Sequence, residues 1–200
     1  MKSRDDVFLA RQPIFDRQRK LAAYELLFRE DDSGEARVTD DALATAQVIA
    51  RTFGRLGLNS VIGGSAAFVN VDAEMLMYGR IQSLPHDRVV LELLETVTVD
   101  CAVVDRCSEL KHLGYRLALD DVCRVSNELE PLLDIVDVVK IDILQLEPAA
   151  LELLVRRLRL HPAKLLAEKV DTLERARHCL TLGFDFFQGY FFARPALLTA

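Results

Sequence analysis

Residues 7–29 read VFLARQPIFDRQRKLAAYELLFR, two apolar stretches, Val7–Ile14 and Leu21–Arg29, with only Phe15–Lys20 between them. So short a connection holds no crossover helix, so the two strands are expected to pair antiparallel. Working outward, further candidate strands are Ala66–Val71, Arg88–Leu94, Arg116–Val122, Asp137–Ile143, Lys164–Val170 and Phe184–Phe192. Amphipathic stretches fall around and between them: Asp40–Leu56, Glu74–Arg80, Val99–Leu113, Asn127–Leu133, Pro148–Leu160 and Thr172–Leu182. The last has a full set of signals, with Asp171 placed to cap it, Glu174 in its first turn and Gly183 to end it.

Strands alternating with helices build a parallel sheet from βα units. Eight strands with a reversed first strand predict an α/β fold, a TIM-type (β/α) barrel spanning residues 7–195 as one domain. At 200 residues its loops and helices must be short. A doubly wound open sheet is the alternative with the same element order. The polar segment Glu30–Asp41 is the one break in the pattern that reads as a lid.

Half of the chain is apolar, which excludes disorder and suffices for one sizeable core. Lys and Arg number 25 against 31 Asp and Glu, a net charge of -6, and no basic run offers a footprint for DNA. No apolar run reaches the roughly 18 residues of a membrane span, and MKSRDDVFLARQPIF lacks a signal core. Cys101, Cys107, Cys123 and Cys179 form no CxxC pair and read as reduced thiols, so a cytoplasmic location is expected. His86, His112, His161 and His178 lie away from the strand motifs and read as surface or satisfied groups.

Parallel strands buried on both faces should be nearly all apolar. Seven of the candidate strands carry a polar exception near their end: Glu25, Asn70, Glu92, Asp120 with Asp121, Lys140, Glu168 and Gln188. From Asn70 onward the steps are 22, 28, 20, 28 and 20 residues, each about one βα unit. In a barrel these strand ends meet at one mouth. Five carboxylates would then face one lysine. Two like charges 4 Å apart repel by about 4 kcal/mol at an effective dielectric of 20. Either some of the acids hold protons at raised pKa or divalent cations sit among them. Hard oxygen ligands suit Mg2+, Mn2+ or Ca2+ over zinc. The neighbours Asp120 and Asp121 can reach a pair of ions, the usual clamp for in-line attack on a phosphodiester. Taken singly, a strand-end Glu is a rim charge and Asp-Asp a helix cap; the repetition is what argues for a site.

With these residues in view, the chain resembles the EAL domain, a bacterial phosphodiesterase and receptor domain for cyclic di-GMP. The motifs that carry the resemblance are RQPIF, YELLFR, FVNV, LELLE, LALDD, VKID, AEKV and FFQGYFFARP, in order from Arg11 to Pro195. The wording of YELLFR and FFQGYFFARP is most like the branch in which an EAL domain precedes an HDOD domain. The resemblance implies hydrolysis of cyclic di-GMP to pGpG at a two-metal Mg2+ or Mn2+ site, with Ca2+ inhibitory. It implies metal ligation by Glu25, Asn70, Glu92, Asp120 and Asp121, and outer contacts to water on the metals from Glu168 and Gln188. Lys140 matches the residue that activates or orients the attacking water and, with Glu168 and Glu25, completes the implied catalytic set. Gln12, Arg29 and Gln188 match contacts to the dinucleotide, and Glu95 supports the loop after Asp121. A homodimer, an HDOD domain or a signalling protein are the implied partners.

The chain departs from the family pattern in three places. Its signature tripeptide is Glu25-Leu26-Leu27, with leucine for alanine. The loop Asp121-Val122-Cys123-Arg124-Val125 has lost both family glycines, so it must take another path. The stretches from Arg29 to Asn70 and from Lys140 to Glu168 are short. The ligand set points to an enzyme. The loop points to the alternative, a degenerate domain that binds the nucleotide or a protein without turnover.

Overall fold

The computed structural model describes residues 8–29, 57–78 and 81–198. The first two strands, β1 (Phe8–Asp16) and β2 (Leu21–Arg29), pair antiparallel with Gln12 opposite Glu25. The turn between them is held by Asp16, whose Oδ1 accepts from the Gln18 and Lys20 amides at 2.8 Å each. From β2 the strands run parallel: β3 (Ala66–Val71), β4 (Val89–Leu93), β5 (Arg116–Leu119), β6 (Val138–Asp142), β7 (Lys164–Glu168) and β8 (Phe186–Phe187). β8 pairs back onto β1, with Phe187 opposite Phe15. That pairing closes an eight-stranded ring and excludes the open sheet. A further strand, β9 (Ala196–Leu198), which the hydrophobic pattern did not announce, adds antiparallel to β1 at Leu9–Arg11.

The described helices are α1 (Leu58–Ile62), α2 (Ala73–Tyr78), α3 (Cys101–His112), α4 (Glu130–Leu133), α5 (Pro148–Leu158) and α6 (Leu173–Leu182). Several are as short as the chain length requires; α4 has four residues. The expected helix Asp40–Leu56 and the lid Glu30–Asp41 lie outside the described residues. Asp100 caps α3, its Oδ1 accepting from the Val103 amide at 2.9 Å. The cap of α6 corrects an expectation: Thr172, not Asp171, accepts from the Arg175 amide at 3.2 Å. Asp171 instead receives the Arg175 guanidinium on both oxygens, at 2.6 and 2.7 Å. Both contacts come from one guanidinium nitrogen, Nη1, in an ion pair one helical turn apart.

The last barrel strand is much shorter than the run Phe184–Phe192 suggests. It stops because Gly189 turns at φ 149°, a conformation side chains rarely adopt. A Cβ there would stand 2.2 Å from the Val170 carbonyl oxygen and 2.3 Å from its nitrogen. The turn is locked on both sides: the Val170 amide donates to Gln188 O and the Phe191 amide to Val170 O, each at 3.0 Å. Gly189→Ala is therefore expected to destabilise the protein by about 3 kcal/mol, since strain and a backbone clash add. Thermal unfolding checks this; a midpoint within a degree of the parent would mean the turn relaxes freely.

The period of two along each strand sorts the barrel interior into layers. Ile14, Ala23, Phe68, Val90, Ala118, Val138 and Leu166 form one buried apolar cluster. Two residues further along the last six of those strands stand Glu25, Asn70, Glu92, Asp120, Lys140 and Glu168. On the reversed β1 the same step runs backward, from Ile14 to Gln12. The apolar layer is thus a floor beneath a polar one.

Candidate functional site

Lys140 stands at the centre of the polar layer. It is 1% exposed, and its Nζ lies 2.9 Å from Glu168 Oε1, 3.0 Å from Asp120 Oδ1 and 3.5 Å from Glu25 Oε1. It also donates to the fully buried Glu92. Four strands deliver four acids to one ammonium because each acid sits at the same height in the alternation. Gln188 donates from Nε2 to both Gln12 Oε1, at 3.2 Å, and Glu25. Gln12 passes its own Nε2 to Ala193 O at 3.2 Å. Glu25, Glu92, Asp120, Lys140, Glu168, Gln188 and Gln12 therefore form one connected network.

Asp121 follows Asp120 at the edge of this group and is half-buried. Its backbone is left-handed, φ 46°, a conformation that Asp tolerates better than most side chains. The Val122 amide ties the loop after Asp121 down through Lys140 O at 3.0 Å. Gln145 Nε2 bridges Asp121 Oδ2, at 3.3 Å, and Asp142 Oδ2, at 3.1 Å. Lys169, also left-handed at φ 55°, donates its Nζ to Asp142. A second lysine thus stands at the rim, so the charge count of five acids against one cation needs correction. Gln145 and Lys169 were missed because both lie past strand ends and only the fold brings them to Asp121. The one available signal was a lysine directly after Glu168 in AEKV.

Three buried oxygens in this region, Asn70 Oδ1, Glu92 Oε2 and Gln188 Oε1, have no hydrogen-bond partner among the described residues. Asp120, Asp121 and Glu168 offer carboxylate oxygens within 4.8 Å of one another, a group that could hold a metal ion. Buried polar atoms are nearly always satisfied. Unpartnered hard oxygens beside a carboxylate trio fit a divalent cation better than they fit a closed hydrogen-bond network.

Burial is the main cause of the shifted titrations. It raises Glu92 well above the usual carboxylate range; Lys140 opposes this and the neighbouring acids add to it. Burial pushes Glu168 up to about 8, against the pull of Lys140 and with Asp120 and Glu25 adding to the rise. Burial works against the charge of Lys140, but its four acid neighbours outweigh that and hold it well above the ordinary lysine value. Burial, then Asp120, raises Asp121. A carboxyl raised in the folded state binds more protons than its unfolded counterpart between the two pKa values. Stability is then highest near the unfolded value and is lost as pH rises toward the folded one. The metal-free protein should accordingly show a thermal midpoint that falls as pH goes from about 5 to 8, the window set by Glu168. Millimolar Mn2+ should flatten that fall, because bound cation takes the place of the proton. A metal-free midpoint that climbs through the window would place Glu168 among ordinary ionised acids.

Of the remaining expected site residues, Arg29 lies at the end of β2, and its side chain is outside the described residues. Glu95 is exposed on the turn after β4 and close enough to Asp121 to contribute to raising its pKa. Cys123 is exposed and, like the other three cysteines, free. His161 is held by Asp134 at 2.7 Å and His112 by Ser108 O at 2.7 Å. Among the described residues no helix is long and apolar enough to cross a membrane.

A family profile described as EAL domain matches residues 1–195. The cyclic di-GMP phosphodiesterase CdgJ of Vibrio cholerae is 36% identical over 194 residues, covering 96% of this chain and 45% of that protein. The Bacillus subtilis protein YuxH is 34% identical over 197 residues, covering 96% of this chain and 48% of its own length. The chain spans about half the length of the curated relatives it matches. Among solved structures, a calcium and cyclic di-GMP complex of Klebsiella pneumoniae BlrP1 superposes with a TM-score of 0.78 at 23% identity, over 96% of this chain and 56% of that one. A standalone EAL protein from Vibrio cholerae O395, in a form bound to cyclic di-GMP, superposes with a TM-score of 0.72 at 24% identity, over 97% and 94%. At these identities the superpositions establish the shared barrel.

Proposed function

The chain belongs to the EAL domain family, and on that premise we propose that its barrel mouth hydrolyses cyclic di-GMP to pGpG with Mg2+ or Mn2+. The observation that carries this reading is the set of unpartnered buried oxygens, Asn70 Oδ1 and Glu92 Oε2, beside the Asp120–Asp121–Glu168 group. Glu25, Asn70, Glu92 and Asp120 would hold one cation, and Asp120 with Asp121 a second. Bound divalent ions would supply positive charge for the phosphate and lower the pKa of a water. Lys140, already bonded to the acids on four strands, would orient that water in line with the scissile P–O bond. Glu168, part of the same carboxylate group, would contact water on the metals. Gln12, Gln188 and Arg29 would contact the dinucleotide, with Arg29 suited to grip a phosphate through two parallel hydrogen bonds. Glu95 would support the Asp121 loop. The same resemblance brings a homodimer and a following HDOD domain into the proposal.

One observation favours the second reading, a receptor without turnover. In the Asp121–Val125 loop the aspartate that would reach the second cation also carries the left-handed turn and is bridged to Asp142 by Gln145. Incubating the protein with cyclic di-GMP and Mn2+ and measuring pGpG separates the two, with binding titrated in Ca2+ as the arm expected to bind without turnover. Production of pGpG that chelator abolishes is the expected result. Binding in both ions with no pGpG would establish the receptor.

A further inference from the structure

The opposite end of the barrel contains a cavity of about 420 Å3 that the chemistry above does not use. It opens among the strand starts, against the underside of the apolar floor formed by Phe68, Val90 and Val138. Its origin is visible in the sequence. Barrel interiors are normally filled by bulky branched residues. Here Ala23 of β2 lies directly opposite Ala66 of β3, with Ala22 beside them, and these three lining positions carry only a methyl group. The volume lies in the range of small-molecule sites, which are mainly apolar with a few converging polar groups.

Five charged side chains line the cavity: Lys111, Arg116, Lys164, Asp134 and Asp137. Both acids are engaged. Asp137 receives Lys111 Nζ on its two oxygens at 2.7 Å each, and Asp134 receives His161 Nδ1 at 2.7 Å. Two cations remain without a carboxylate partner among the described residues. Arg116 gives one Nη to Asp87 O at 3.2 Å, and the Lys164 ammonium lies 5.4 Å from the centre of the Phe186 ring, itself part of the lining. A chain of net charge -6 thus presents an apolar cavity whose opening carries three cations against two acids.

We infer that this floor cavity binds an apolar carboxylate, an acyl chain seated against Ala23, Ala66 and Phe68 with its carboxylate at Arg116 and Lys164. A neutral apolar molecule would leave both cations unused, and a small hydrophilic anion would leave the apolar walls uncovered. The occupant would touch Val90 and Val138, each two residues below a member of the polar layer, Glu92 and Lys140.

The probe is octanoate, with octanol and acetate matching its chain and its head. Binding is read as a saturable shift in thermal midpoint and as movement of the Ala23 and Ala66 methyl signals in NMR spectra. Octanoate is expected to bind at least tenfold more tightly than octanol, and acetate to give no response. Ala66→Leu, which fills the cavity, should abolish the octanoate response. If that variant does not fold, Arg116→Ala with Lys164→Ala, at the rim, should still weaken octanoate at least tenfold and leave octanol unchanged. No saturable octanoate response in the parent, or a response that survives both substitutions, would overturn the inference. Because the readout is binding at the floor, the result does not depend on whether the upper mouth turns over cyclic di-GMP.

Discussion

Replacing Lys140 with methionine is expected to leave the metal-free protein about 3–5 kcal/mol less stable, the usual cost of taking one partner from a buried ion pair. Lys140 is the cation shared by Glu25, Glu92, Asp120 and Glu168, and it is almost wholly buried. Methionine keeps the apolar stem and the volume, so the loss reports charge and not a cavity. The pH dependence should steepen. Without the ammonium the acids hold their protons more tightly, so the variant should be most stable near pH 5 and weakest near pH 8. Divalent metal should recover much of the loss, since it neutralises the same oxygens. On the proposed phosphodiesterase reading, turnover in Mn2+ falls by about 100-fold or more, the scale of lost acid–base assistance, while cyclic di-GMP still binds. A chelator-treated variant as stable as the parent would remove Lys140 from its central electrostatic role.

Glu92→Gln should act in the opposite direction. Glu92 is fully buried and its pKa is raised, chiefly by burial, so its carboxylate is a cost to the metal-free fold. An amide of the same shape carries no charge into that site. The metal-free midpoint should hold or rise, while the stabilisation by Mg2+ or Mn2+ is largely lost. At a metal concentration of 100 times Kd that lost stabilisation is about 2.7 kcal/mol. On the proposed phosphodiesterase reading, turnover falls with it. The opposed signs separate a ligand from a structural acid: a residue that only holds the barrel together would lower the midpoint with and without metal. Thermal unfolding in excess chelator and in millimolar Mn2+ is the measurement. An undiminished metal response in the variant would take Glu92 out of the ligand set.

Much of the site was legible in the sequence because a barrel strand reports its own direction and depth. A polar residue two positions beyond a buried apolar one, as in Val90 to Glu92 or Val138 to Lys140, shares its face and lies one layer further along the strand. The short link Phe15–Lys20 fixed the reversed first strand for an equally local reason, because six residues cannot cross a sheet. Where local signals competed, the sequence reading slipped. Asp171 and Thr172 were both able to cap α6, and a guanidinium one turn away drew the aspartate off. The aromatic run after Phe187 looked like strand until the close approach of Val170 to Gly189 required a turn.

By itself, the sequence determined the element order, the antiparallel start and the identity of the polar layer, all of which follow from periodicity and chain length. Only the tertiary structure decided that the sheet closes, through the pairing of Phe15 with Phe187, residues 172 positions apart in the chain. It also decided that one lysine serves four acids, that Lys169 reaches Asp142 and Gln145 reaches Asp121, and that two alanines meet to hollow the barrel floor. These outcomes depend on which side chains meet across strands brought together from distant parts of the chain, and periodicity along a single strand carries no record of its neighbour.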